Sequence, residues 1–435
     1  MLSCQIGSKN LKLPSLKCLT DMKQKLLIIS LVLFSLISCK KDFDFFKKEK
    51  TTNLPNYGNV DLDHIFTQED TQLQNKDSIL YELQSYYKNV WEKGDLSGGI
   101  LVAKGDEILF ENYRGFAREN NQVPINKDVP LHVASISKTL TAMAVLKLVE
   151  AGKIKLHQKV TDFFPKFPYP EVEVFHLLSH RSGLPKYEYF FEKLAIKPKG
   201  KYFTNQDILN SLIQYKPDLS RNTNTGFEYC NTNYALLALI VENVTKTSFP
   251  SAMQQIVFEP LKMNHTYIFQ PKDSLKAAQS FYFQGSKLYP TDELDWIYGD
   301  KNCYTTPRDL FNFSKAMFSK DFLRKSLKDS IFTPYSNERP GVNNYGLGFR
   351  MKVFDNGKKL TYHNGWWHGT NSSFTHLLDS KVTIIAIGNK FSGRIYSAVS
   401  LSSLFEDFPI EREKFNKTMK VEKDSLKNDA EDSSE

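Results

Sequence analysis

Ser135 and Lys138 stand three residues apart where the apolar run HVASISKTLTAMAVLKLVE begins. A serine at a helix N-terminus offers a hydroxyl and a backbone N–H with no intrahelical partner, beside the positive end of the helix dipole. A lysine one turn on lies on the same face and reaches that hydroxyl. In a partly dry cleft, desolvation lowers a lysine's pKa, and the neutral amine can then take the serine proton. This is the chemistry of a covalent nucleophile. Ser-x-x-Lys also occurs at Ser38 to Lys41 and Ser85 to Lys88, so the spacing alone does not decide.

Two further groupings carry complementary chemistry. In FEYCNTNYALLALIVE, Tyr229 and Asn231 stand two apart just before an apolar helix, and in an extended turn both project to one side. A phenol and an amide would thus enter one cleft, while the same alternation sends Cys230 away from it. Tyr-x-Asn recurs at Tyr87, Tyr335 and Tyr362, so position matters more than the triplet. In TYHNGWWHGTNSSF, His363-Asn364-Gly365 is the single His-x-Gly of the chain. Gly365 permits close backbone approach, and the N–H of Trp366 can serve as a second oxyanion donor beside that of Ser135.

Taken in order and context, Ser135-Ile136-Ser137-Lys138, Tyr229-Cys230-Asn231 and His363-Asn364-Gly365 resemble the three motifs of the serine β-lactamase and penicillin-binding protein superfamily. The likeness is nearest to the class C β-lactamase-related group, which includes DD-peptidases, D-aminopeptidases and esterases. SGGILVAKGDEILFENYRGFA, HLLSHRSGLP and CYTTPRDLFNF also resemble that group, and the likeness runs from about Ser78 to Phe408.

The resemblance implies that Ser135 attacks a carbonyl, Lys138 and Tyr229 share proton transfer, and the N–H groups of Ser135 and Trp366 hold the oxyanion. Asn231 would position Lys138 and the substrate amide, and His363 and Gly365 would bind substrate. Close Lys and Tyr titrate as a coupled pair, so either is the base. His363 stands where many relatives have a lysine that meets a substrate carboxylate. An imidazole of pKa about 6.5 is mostly neutral at pH 7, which favours peptidase or esterase work over efficient β-lactamase activity.

Other attractive residues have plainer readings. His176 and His180 are four apart, but HLLSH resembles a structural loop of the family and no Glu-x-x pattern accompanies it. His368 and His376 read as surface or hydrogen-bonding residues, and strand alternation puts Trp366 and Trp367 on opposite faces. Neither a metal nor a cofactor is expected.

The elements that must position these groups follow from periodicity. Residues 78 to 92 read as an amphipathic helix, followed by a hairpin turning at Lys104-Gly105-Asp106. Helices are expected at Ser135 to Glu150, Asn205 to Gln214, Asn233 to Val244, Ser251 to Phe258, over TPRDLFNFSKAMF and over RIYSAVSLSSLFE. GLGFRMKVF, KKLTYHNGW, SSFTHLLD and KVTIIAIGN read as strands. The economical assembly is an α+β fold, β-lactamase/transpeptidase-like: one antiparallel sheet from both chain ends, flanked by helices, with an inserted helical lobe and a cleft between.

Outside this body, Met22-Lys-Gln-Lys and the apolar run Leu26 to Ile37 have the form of a secretory signal. Residues 1–38 are expected to be removed, with Met22 the true start. Leu36-Ile37-Ser38-Cys39 resembles the lipobox of bacterial lipoproteins, with Cys39 lipidated and residues 39–76 a tether from the membrane anchor to a 77–410 hydrolase domain. Residues 411–435 read as a flexible tail. Losing residues 1–38 removes five lysines and one aspartate and lowers the formal charge from +8 to +4. With no basic stripe interleaved with aromatics, a nucleic-acid partner is not expected. Only Cys230 and Cys303 remain in the body, so there is no disulfide framework. The expected protein is an envelope-anchored serine hydrolase acting on a small peptide, amide or ester. The alternative is a non-catalytic cell-wall peptide-binding lipoprotein of the same fold.

Overall fold

The computed structural model describes residues 58–118, 123–283 and 287–431, with side chains described as far as 420. Residues 1–38 and the lipidation site Cys39 lie outside the described residues. All described residues belong to one compact unit, Leu54–Glu435.

Among the described residues the ten strands are β1 (Gly98–Lys104), β2 (Glu107–Arg114), β3 (Leu131–His132), β4 (Tyr267–Ile268), β5 (Cys303–Thr305), β6 (Asn343–Tyr345), β7 (Arg350–Val353), β8 (Lys359–Trp367), β9 (Thr370–Leu377) and β10 (Val382–Gly388). Seven form a sheet in the order β2-β1-β10-β9-β8-β7-β6, every neighbouring pair antiparallel. The N-terminal hairpin thus docks on the last strand, and the sheet joins both chain ends as the sequence leads one to expect. A small second sheet, β3-β5-β4, braces the segments leading into Ser135 and out of Asp300.

The central strands are apolar on both faces because both are covered. Ile100, Val102, Ile384 and Ala386 pack with Leu83, Trp91, Ile395 and Leu401. Their neighbours Leu101, Ala103, Ile385 and Ile387 join the larger core of the helical lobe. A period of two therefore serves two cores, which explains why VTIIAIG reads as an unbroken apolar run.

The helices that matter for the site are α1 (Lys76–Tyr86), α2 (Ser137–Glu150), α3 (Tyr187–Lys193), α4 (Asn231–Thr245) and α5 (Pro409–Glu431). Helix α2 is buried from Ser137 to Leu148 on every side, so it runs through the lobe and not over it. Helix α1 continues into a π-helical turn, Tyr87–Glu92, and the expected helix over 394–406 is a 3₁₀ helix, Gly393–Leu404.

Three expectations differ in detail. The GLGFRMKVF strand starts only at Arg350, because Gly348 turns with φ +85° and presses on helix α2, where a Cβ would stand 2.6 Å from that of Ala142. The 39–76 tether does not reach its expected end as a free segment: Val60 and Leu62 are buried in the lobe, and the Val60 N–H donates to Pro260 O at 3.0 Å. The tail from 411 begins as helix α5, held by the buried Phe415 and by Glu411, which pairs with Lys352. Single apolar residues at long spacing carry both attachments, too sparse a signal for periodicity to register.

Candidate active site

Ser135 lies in a 3₁₀ turn, Ala134–Ile136, that runs directly into helix α2. The turn is tight. Ala134 takes φ +47°, a left-handed conformation that residues with a Cβ rarely adopt. This lifts Ser135 to the mouth of the helix, where it is half-buried while its neighbours are fully buried.

Lys138 follows one turn later and is fully buried. Its Nζ donates to Ser135 Oγ at 3.2 Å and to the backbone oxygen of Asp300 at 2.7 Å. The ammonium also stands 5.1 Å from the ring centre of Tyr229 and 5.8 Å from that of Tyr234. No carboxylate pairs with it among the described residues. The lysine among apolar residues is thus explained: its head faces a hydroxyl, a carbonyl and two π-faces.

The third strand motif closes on the same serine. Gly365 in β8 abuts the turn so closely that a Cβ there would lie 2.3 Å from Val133 O, 2.4 Å from Ser372 Oγ and 3.0 Å from the Ser135 nitrogen. Only glycine fits without moving that backbone. Ser372, paired with Gly365 across β8 and β9, donates from Oγ to Val133 O at 2.7 Å and ties the sheet to the turn. Trp366 follows with its side chain 61% exposed, whereas Trp367 turns inward and donates from Nε1 to Asp295 at 2.7 Å. The two tryptophans part as alternation requires.

Tyr229 is half-buried in a nest of rings, with His180 at 4.4 Å and His363 at 6.2 Å between centres. Arg350, from β7, places its guanidinium 4.6 Å from the centre of the Tyr229 ring. Cys230 points away, buried, its thiol directed at Leu184 O, and burial pushes that thiol up to about 12.

Two expected roles are redrawn. Asn231 does not hydrogen-bond Lys138; its Nδ2 donates to Glu188 Oε1 of helix α3, and its Oδ1 is buried without a partner. The carboxylate is the stronger acceptor, and the Asp300 carbonyl takes the place beside Lys138. His363, expected to meet substrate, is fully buried. Its Nδ1 lies 2.7 Å from Asn364 O and its Nε2 3.3 Å from Tyr345 Oη. A carbonyl only accepts, so Nδ1 carries the hydrogen and Nε2 accepts from the tyrosine. Burial, helped by Arg350 and Lys138, holds His363 well below the usual histidine range, so the ring is neutral.

The histidines of HLLSHRSGLP are structural in their contacts. His176 Nδ1 accepts from the Glu173 N–H at 3.1 Å, and His180 Nδ1 accepts from the Cys230 N–H at 3.2 Å. Thr232 donates to Pro185 O at 2.7 Å. The loop thereby fixes the start of helix α4 and with it Tyr229 and Asn231. His376 is buried on Ser314 at 2.7 Å.

Asp292, Asp295 and His368 bring ligand atoms within 4.8 Å of one another. Asp295 Oδ1, however, already takes hydrogen bonds from Trp367 Nε1 and His368 Nε2, both at 2.7 Å. The cluster thus braces the β8–β9 turn.

Sequence reading missed Glu188, Arg350 and Asp300. None has a motif, and each enters the site from more than 40 residues away from its partner.

The family model described as Beta-lactamase matches residues 83–397, most of the described unit. This chain belongs to the β-lactamase family. It is 29% identical over 336 residues to Penicillin-binding protein 4* of Bacillus subtilis (strain 168), covering 74% of each chain. Its fold matches the penicillin-binding protein from Bacillus halodurans with TM-score 0.64 and 24% identity, over 77% of this chain and all of that one. It also matches the D-amino acid amidase from Ochrobactrum anthropi SV3, solved with L-phenylalanine amide, at TM-score 0.60 and 21% identity over 80% and 99% of the two chains. The β-lactamase family fold thus hosts serine hydrolases that include amidases and esterases, and the α+β architecture described above is that fold.

Proposed function

We propose that this β-lactamase family member is a serine hydrolase that forms an acyl-enzyme on Ser135 with a peptide, amide or ester. The observation that carries the reading is the buried Lys138 amine, its Nζ 3.2 Å from Ser135 Oγ and with no carboxylate paired to it among the described residues. Lys138 and Tyr229 share the proton taken from Ser135. The backbone N–H groups of Ser135 and Trp366 receive the oxyanion, with Gly365 providing the clearance. Deacylation requires a water activated from the Tyr229 side.

The site favours peptidase or esterase work over efficient β-lactam hydrolysis. His363 is neutral and enclosed, so it offers a substrate carboxylate no charge. The cation on that side is Arg350, which lines a cavity of about 440 Å³ with Arg221 and Arg339. In this reading the protein is a lipoprotein, anchored through Cys39 to a bacterial envelope membrane.

Intact-mass spectrometry after exposure to a fluorophosphonate and, separately, to a penicillin tests the reading, with peptide mapping of the adduct. A fluorophosphonate adduct on Ser135, absent from folded Ser135→Ala, is the expected result. A lasting penicilloyl adduct there would narrow the reading to a penicillin-binding peptidase. If folded protein leaves Ser135 unmodified by both reagents, the non-catalytic binding protein becomes the better account. Metabolic labelling with a palmitate analogue, lost in Cys39→Ala, checks the anchor.

A further inference from the structure

The N–H of Trp366, the second oxyanion donor in the reading above, belongs to the peptide group whose other end is Gly365 O. That group is planar, so its N–H and C=O move together and point in opposite directions. Strand β7 pairs with β8 only as far as Tyr362. Beyond that point β8 is paired on the β9 side, with Gly365 opposite Ser372 and Trp366 opposite Asn371. One side chain grips the peptide as well: Tyr396 Oη donates to Gly365 O at 3.1 Å.

The direction of that bond is fixed by a chain of donors. The Ser392 N–H donates to Asn371 Oδ1 at 2.7 Å. Asn371 therefore presents its NH₂ end to the tyrosine, and its Nδ2 donates to Tyr396 Oη at 2.7 Å. The hydroxyl, accepting from Asn371, turns its own hydrogen to Gly365 O, which can only accept. Burial pushes the Tyr396 hydroxyl above its usual range, so it keeps that hydrogen.

Tyr396 lies in the 3₁₀ helix Gly393–Leu404, whose Ile395 and Leu401 pack on the sheet face away from the lobe. It lines a cavity there with Lys352, Glu411 and Lys414, whereas Ser135 stands on the lobe side. Its hold on the site therefore passes through the peptide. A hydrogen bond to a peptide oxygen fixes the plane of the group and polarises it, which makes its N–H a stronger donor. A developing oxyanion gains more from such a donor than a ground-state carbonyl does.

We propose, resting on the reading of Ser135 as nucleophile and the Trp366 N–H as oxyanion donor, that Tyr396 is a positioning residue: through Gly365 O it orients and strengthens that N–H from outside the cleft.

The test measures single-turnover acylation by p-nitrophenyl acetate and inhibition by phenylboronic acid, whose adduct on Ser135 is tetrahedral like the intermediate. Tyr396→Phe should lower the acylation rate at saturation about 2- to 10-fold, the span for one neutral hydrogen bond. The half-saturating concentration should stay unchanged, and phenylboronic acid should bind more weakly by the same factor. Tyr86→Phe is the matched control, because Tyr86 Oη bonds Ser397 Oγ, the next residue of the same 3₁₀ helix, at 2.7 Å without reaching the peptide. It should leave both constants native. If Tyr396→Phe does not fold, 3-fluorotyrosine at position 396, a stronger donor of nearly the same shape, should tighten phenylboronic acid; unchanged or weaker binding overturns the proposal. So does native boronate affinity in folded Tyr396→Phe, or an equal loss in Tyr86→Phe. Native protein that a fluorophosphonate labels at Ser135 but that binds no boronate overturns the oxyanion role of Trp366 and this proposal together. Native protein that does not label overturns the nucleophile reading itself.

Discussion

Lys138 and Lys352 are both buried lysines, 0% and 7% exposed, one in the helical lobe and one on the sheet. Lys352 faces Glu411 of helix α5 in an ion pair, and Lys414 adds a second contact to the same carboxylate at 3.1 Å. Lys138 faces a hydroxyl, a carbonyl and aromatic rings. The pair of Lys352 with Glu411 ties helix α5 to the sheet, although burial pushes the Lys352 amine below its usual range despite the carboxylate. Lys138 has no such counter-ion among the described residues, and its amine stands 3.2 Å from the hydroxyl it would serve. Burial is common to both; the missing counter-ion is what sets the lobe's lysine apart as a chemical group.

Replacing each lysine by methionine, which keeps much of the volume, breaks the comparison open. Lys138→Met should lower kcat by about 100- to 10,000-fold, the span of general-base contributions. Its denaturant midpoint should hold or rise, because methionine has no polar head to desolvate. Lys352→Met should do the reverse. It leaves Glu411 with the half-exposed Lys414 alone and should cost about 2 kcal/mol, less than the full loss of a buried pair. Activity per folded molecule should be unchanged. Equal activity losses in the two variants would dissolve the distinction.

Gly365→Ala sharpens it from the other side of the serine. The added methyl must displace Val133 O, Ser372 Oγ or the Ser135 nitrogen. Any of these shifts disturbs the oxyanion donors, and a loss of about 100- to 1,000-fold in kcat is expected. Single-turnover rates measured with an activated ester would show it. Near-native kcat would mean that the Ser135 N–H is not where charge develops.

The part of this arrangement that was legible in sequence is the part built from short spacings. Ser135 and Lys138 are one helical turn apart, and Tyr229, Cys230 and Asn231 alternate across an extended turn. Apolar alternation also exposed both ends of the sheet. What could not be read was how such pieces meet. Asp300 reaches Lys138 across 162 residues of chain, and Glu188 captures Asn231 across 43, so the local pattern could bring Asn231 to the cleft but could not show its partner, and the resemblance placed it beside Lys138 instead. Arg350 was hidden for another reason: its strand was read as starting earlier, and only the turn at Gly348 shows where it begins. The packing of Val60, Leu62 and Phe415 was lost because one or two anchoring side chains make no period.

The histidines extend the comparison to protons taken up on unfolding. His363 in the site and His376 in the sheet core are both fully buried and neutral, the latter depressed to about 3. His132 is likewise depressed to about 3. Their folded pKa values lie below the unfolded value near 6.5, so below that pH the unfolded chain binds more protons than the folded one. Stability is therefore complete above about pH 6.5 and falls as the pH drops towards 3, by up to about 1.4 kcal/mol per pH unit for each such histidine. Urea midpoints between pH 7 and 5 should fall accordingly, and His376→Gln should remove one proton from the slope. Activity should behave differently, since burial holds His363 and His180, the imidazoles beside Tyr229, well below the usual histidine range. An inflection of kcat/KM near pH 6.5 that vanished in His363→Asn would show water reaching that ring. Arg350 and His363 would then have to share the reception of a substrate carboxylate, and the charge difference that separates this site from a lysine-bearing one would narrow.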